Sequence, residues 1–124
     1  MPETVLLQHD LPDGSSHFDW MIQRDDPRAG LITFRLQDRI DHPSCGGFDA
    51  RRLPDHRAAY LTFEGPVAGG RGIVRRLATG RATAGETGGE MLVTADFGAG
   101  PRRWRGRCIS GELWRFEEKT AETP

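Results

Sequence analysis

At 124 residues the chain is the size of one domain, long enough to bury an apolar core without disulfides or a structural metal. Apolar residues are 36% and charged residues 28% of the chain, and the net charge of -1 argues against a nonspecific polyanion binder coated in positive charge. No apolar run approaches the roughly 18 residues of a membrane-spanning helix, and "MPETVLLQHD" lacks the basic region and apolar block of a secretory leader, so a cytoplasmic protein is expected. The two cysteines, Cys45 and Cys108, form no CxxC pair and are too few for a zinc cluster or a disulfide framework.

Read in chain order, runs of five to eight residues with period-two alternation are punctuated by glycine (16) and proline (8). The candidate strands are "TVLLQH", "SHFDWMIQ", "GLITFRLQ", "AAYLTFEG", "GIVRRLATG", "EMLVTADF", "RRWRGRCIS" and "ELWRFEE". "DGSS" and "ISGE" read as hairpin connections, because glycine and its polar neighbours accept the positive φ of tight turns. "DARRLPDHRAA" leaves room for one short helix. The fold class expected is all-β: a small closed or partly open barrel of about eight short strands, with irregular loops and at most short helices. Residues 1–124 form a single domain in this reading, with a frayed tail at 119–124.

In "HFDWMIQ" the alternation puts Phe18, Trp20 and Ile22 on one face and His17, Asp19 and Met21 on the other. His17 and Asp19 then stand about 7 Å apart along the strand. A hairpin through "LPDGSS" brings His9 beside His17, giving three ligands of a kind that holds manganese, iron or zinc. The alternative is a polar hairpin surface in which His9 and Asp10 bond the local backbone.

Further on, "DHRAAYLTFEGPVAGGRG" carries His56, the only tyrosine (Tyr60), and a glycine-rich stretch that presents Arg71. Histidine and phenol both suit a phosphoryl oxygen, as donor or general acid. Tyr60 as a half-buried strand aromatic is the other reading. Basic residues are almost all arginine and fall in groups: Arg51 and Arg52; Arg71, Arg75 and Arg76; Arg102, Arg103, Arg105 and Arg107. The planar guanidinium fork makes phosphate contacts possible at each group, and solvated strand faces account for them as well.

Taken in order, His9-Asp10, then His17-Phe18-Asp19, then His56 with Tyr60, then Phe63-Glu64-Gly65 and the closing "RGR…LW" hairpin, the chain resembles the 3'-phosphoesterase domain of bacterial DNA ligase D and its small stand-alone relatives. The likeness runs from about Val5 to Phe116. It implies a compact β-barrel and a manganese-dependent hydrolase of DNA repair that removes a 3'-terminal ribonucleoside and then the remaining 3'-phosphate. By position, His9, His17 and Asp19 would hold the metal, while His56 and Tyr60 would meet the scissile phosphate. The implied partners are DNA or RNA–DNA 3'-ends and a DNA ligase or polymerase, with the protein itself a monomer.

The chain departs from the family at three points: Met21 stands where ligase-borne members carry an arginine, the gap between His9 and His17 is longer, and the leader lacks basic residues. Arg52 and Arg71 are the candidates to bind phosphate or nucleic acid in place of that arginine. Two other functions fit the same residues: a non-catalytic module that binds DNA ends or a repair partner, and a non-haem iron oxygenase using His17-x-Asp19 with a distant histidine.

Overall fold

The computed structural model describes residues 2–119; the tail expected to fray falls outside them after Lys119, itself the last residue of a strand. Nine strands run β1 (Glu3–Asp10), β2 (Ser16–Ile22), β3 (Leu31–Leu36), β4 (Gly47–His56), β5 (Gly65–Pro66), β6 (Ile73–Thr87), β7 (Glu90–Asp96), β8 (Pro101–Ser110) and β9 (Leu113–Lys119). Eight of them close into an antiparallel ring in the order β1-β2-β3-β4-β9-β8-β7-β6, sealed by β6 pairing back onto β1, while two-residue β5 flanks β6. The result is an all-β, partly open barrel. Among the described residues, no helix is long and apolar enough to cross a membrane.

β6 makes closure possible because it is twice the length of its neighbours. Its first half pairs with β1 and its second half with β7, and a bulge at Leu77 lets the strand change direction between them. Both expected hairpins form; the β1–β2 turn is closed by the Leu11 N–H donating to Ser15 and the Gly14 N–H donating to Leu11.

Inside the ring, Trp20, Phe34, Phe48, Trp104, Trp114 and Phe116 pack edge to face or stacked as the main core. The outer face of β1–β3 is apolar too: Val5, Leu7, Met21 and Leu31 are buried there under Leu61 and Tyr60. Residues 57–72 therefore lie over this wall as a flap, shielding a second apolar cluster from water.

That flap corrects one expectation. "AAYLTFEG" is not a strand: Ala58–Leu61 is a single 3-10 turn, with Tyr60 and Thr62 N–H groups donating to Arg57 and Ala59. The Ala-Ala pair offers no branched side chain to hold a pleat, and a tight turn drives Tyr60 and Leu61 onto the same cluster. The room for a helix in "DARRLPDHRAA" is taken instead by the end of β4. Pro54 falls where the β3–β4 register slips between Leu31 and Thr33 and beyond the stretch of β4 that β9 pairs, the kind of irregular position where a strand accepts proline.

Candidate metal centre

The strand pairing that builds the wall also assembles the site. In the β1–β2 hairpin His9 lies directly opposite His17, and Asp19 follows two residues on, so all three side chains leave the sheet on its outer face. One ligand atom from each gathers within 4.8 Å of the others. His17 Nε2 is 3.3 Å from Asp19 Oδ1, and His9 Nδ1 is 3.8 Å from Asp19 Oδ2.

Burial makes this more than a polar hairpin. His17 and Asp19 are each 5% exposed, and both His17 Nε2 and Asp19 Oδ1 are sealed from water with no hydrogen-bond partner. An unsatisfied buried polar atom costs on the order of 1–3 kcal/mol, and folds rarely leave two side by side without a ligand to satisfy them. Two imidazoles and a carboxylate are a donor set for manganese, iron or zinc, and three protein ligands leave positions for water and a substrate oxygen. A point about 3 Å from each atom exists, so side-chain shifts under about 1 Å bring all three to bonding distance.

The His9 tautomer is fixed from outside the trio. Its Nε2 lies 2.7 Å from the Arg71 carbonyl, which only accepts, so Nε2 carries the proton and Nδ1 presents its lone pair toward Asp19. Arg71 reaches this position because Gly72 follows it. Gly72 has φ +95° and sits so close to the Asp10 carbonyl that any Cβ would overlap it.

A cavity of about 440 Å³ opens beside the trio, walled by His9, Asp19, Arg35, His56, Tyr60 and Arg71. His56 donates from Nδ1 to the Pro54 carbonyl at 2.9 Å, since that oxygen only accepts, leaving Nε2 as the ring nitrogen free to meet a ligand. Its ring is edge to face with Tyr60, 5.6 Å between centroids, and Tyr60 stands in the same relation to Phe63. Glu64 accepts the Arg76 backbone N–H at 3.0 Å and Gly65 pairs with Val74, so the Phe-Glu-Gly stretch docks the flap onto β6.

The structure thus brings together His9, His17, Asp19, His56, Tyr60 and Arg71. It does not bring Arg52. Along β4 the inward residues are Phe48, Ala50 and then Arg52, whose guanidinium lies over Phe34 and Trp114 and donates to Glu86, away from the cavity. Arg52 as a phosphate ligand at this site is a correction: its strand parity turns it to the other side of the sheet.

Arg35, missed in the sequence, takes that part of the wall. It is paired with Asp19 across β2–β3, its Nε is 3.8 Å from Asp19 Oδ1, and that Nε is buried without a partner. Met21 also borders the cavity, but as an apolar residue 1% exposed within the second cluster. His56 lies across the cavity from the trio, so among the described residues the histidine that joins His17 and Asp19 is the upstream His9 rather than a distant downstream one. No family model matches the chain, and no curated protein matches it.

Proposed function

We propose that the chain is a metal-dependent phosphoesterase acting on nucleic-acid 3'-ends, of the kind found in the 3'-phosphoesterase domain of DNA ligase D. The observation that carries this reading is the buried, unpartnered pair His17 Nε2 and Asp19 Oδ1, with His9 Nδ1 near them, beside a cavity lined by Arg35, His56, Tyr60 and Arg71.

His9, His17 and Asp19 would hold the cation, manganese by the resemblance. Once bound, it supplies charge neutralisation at a phosphoryl oxygen and an activated water. Arg35, a wall of the cavity with its side chain 42% exposed, offers its outer guanidinium N–H groups to the phosphate, the task Met21 cannot perform. His56 is steadied through Nδ1 by Pro54 and, when protonated at Nε2 as well, donates from Nε2 to a phosphoryl oxygen or gives that proton to the leaving oxygen. Tyr60, packed against His56, donates its phenol beside it, and Arg71 completes the lining.

The test is incubation with manganese and a primer-template ending in a 3'-phosphate or a single 3'-ribonucleotide. Trimmed ends are expected, and His17→Ala and His56→Ala should each abolish trimming. Unchanged ends at high enzyme concentration would refute the esterase reading; retained binding of the same DNA would then identify a non-catalytic end-binding module.

A further inference from the structure

Across the outer face of the barrel, the row that begins at the metal centre continues in arginine. Asp19 pairs with Arg35 on β3, Arg35 with Arg51 on β4, and Arg51 with Leu113 on β9. Two residues along β9, Arg115 pairs with Arg107 on β8. All four arginines alternate with buried inward residues (Phe34 and Leu36, Ala50, Trp114 and Phe116, and Gly106), so all four project outward.

Their side chains are 42%, 51%, 43% and 59% exposed in that order. Three inter-strand steps of about 4.8 Å and one two-residue step of about 7 Å along β9 put the ends of the track about 16 Å apart, the axial rise of roughly five base pairs at about 3.4 Å each. At its far end Arg107 and Arg115, with Arg105 and Lys119, wall a shallow cavity of about 340 Å³, which Glu117 and Glu118 also line.

Of the acidic neighbours, Glu90 is held by Arg105 at 2.7 Å, and the rest are held loosely. Glu112 lies 3.2 Å from Arg51, Asp49 and Glu117 lie 3.4 and 3.9 Å from Arg115, and Glu90 lies 3.7 Å from Arg107. These carboxylates are 45–84% exposed, so the pairs are weak and a phosphate that takes both prongs of a guanidinium displaces them.

We propose that Arg51, Arg115 and Arg107 carry the backbone phosphates of the nucleic-acid strand whose 3'-end enters the metal pocket, Arg35 being the point where track and pocket join. This rests on the reading of the pocket as a 3'-end site. The occupant is a strand of nucleic acid rather than an acidic protein because the four cations of the row are all arginine, succeed one another on adjacent strands, and lead to the cavity read as a 3'-end site.

The experiment is fluorescence anisotropy of a labelled primer-template with a recessed 3'-phosphate, in EDTA so that no end is cut, from 50 to 200 mM KCl. Arg51→Gln, Arg115→Gln and Arg107→Gln should each lower affinity severalfold at 50 mM and make the plot of log K against log salt shallower by about 0.9. Arg28→Gln, on the β2–β3 loop and 91% exposed, should change neither. Slopes unaltered by the three track variants overturn the proposal, as does an equal effect of Arg28→Gln. So does competition by polyglutamate as effective as competition by DNA.

A manganese assay on a nucleoside 3'-monophosphate, which has no backbone phosphate to lay on Arg51, separates the two readings. Trimming of it unaffected by the track variants is expected. If wild-type protein trims nothing while the slope differences persist, the esterase reading falls and the track stands.

Discussion

Two arginine–carboxylate pairs in this barrel are built to opposite specifications. Arg102 donates to both oxygens of Glu118 at 2.8 Å and gives its remaining donors to the carbonyls of Ile40, His42 and Cys45, all while stacked 4.6 Å over Trp104. Arg35 stands 3.8 Å from Asp19 with a buried Nε that meets no acceptor, and the facing Asp19 oxygen is equally alone. The first pair pins the 37–46 loop across the end of the barrel and leaves nothing for a ligand to satisfy. The second keeps its bonding capacity unsatisfied beside two histidines, and that residual capacity is what marks a site.

Changes at the unsatisfied pair should have the largest effects. Asp19→Asn removes the charge that two imidazoles need beside them, and manganese affinity measured by calorimetry should fall at least 100-fold while the fold survives. Breaking the satisfied pair should do the reverse. Arg102→Met strands Glu118 and three carbonyls, so urea unfolding should show a loss of about 2–4 kcal/mol with metal affinity unchanged.

Metal removal comes next: at 100 times its dissociation constant the cation should add about 2.7 kcal/mol, so EDTA should lower the melting temperature of wild type and leave Asp19→Asn unmoved. In the same direction, His17→Leu replaces an unpartnered buried nitrogen with apolar volume, and the metal-free protein should melt a few degrees higher as it loses the site.

The smallest effect is acid sensitivity. Hydrogen bonding from Arg102 holds the Glu118 carboxyl below its ordinary range. Its contribution is therefore complete above the unfolded value of about 4.3 and is lost as pH falls through the depressed one. Stability curves between pH 5 and 2 should steepen in wild type relative to Arg102→Met.

The sequence made the inner half of this architecture legible and hid part of the outer half. Alternation in "HFDWMIQ" separates Trp20 and Ile22 from His17 and Asp19, and the hairpin turn brings His9 opposite His17, because both depend only on local parity and turn chemistry. Met21 defies the simple form of that rule. It points outward yet is buried, since alternation assumes one wet face and this wall is covered by the flap.

Arg52 was misjudged for want of β4. Once "GFDARR" is recognised as a strand, Phe48 and Ala50 inward make Arg52 inward too and Arg51 outward. Arg35 lay beyond local reading altogether, because its place beside Asp19 is set by the register of β2 against β3.

The closing seam has a consequence for the order of events in folding. All three residues of the candidate metal trio are in the chain by residue 19, and their hairpin can form from local contacts alone. The carbonyl that selects the His9 tautomer belongs to Arg71, and it is seated only when the flap is down and β6 has returned to β1. Pairings so distant in sequence close slowly. A nascent chain therefore owns the trio long before it owns the lock, and any cation the trio takes should be gripped tightly only once the ring has finished closing.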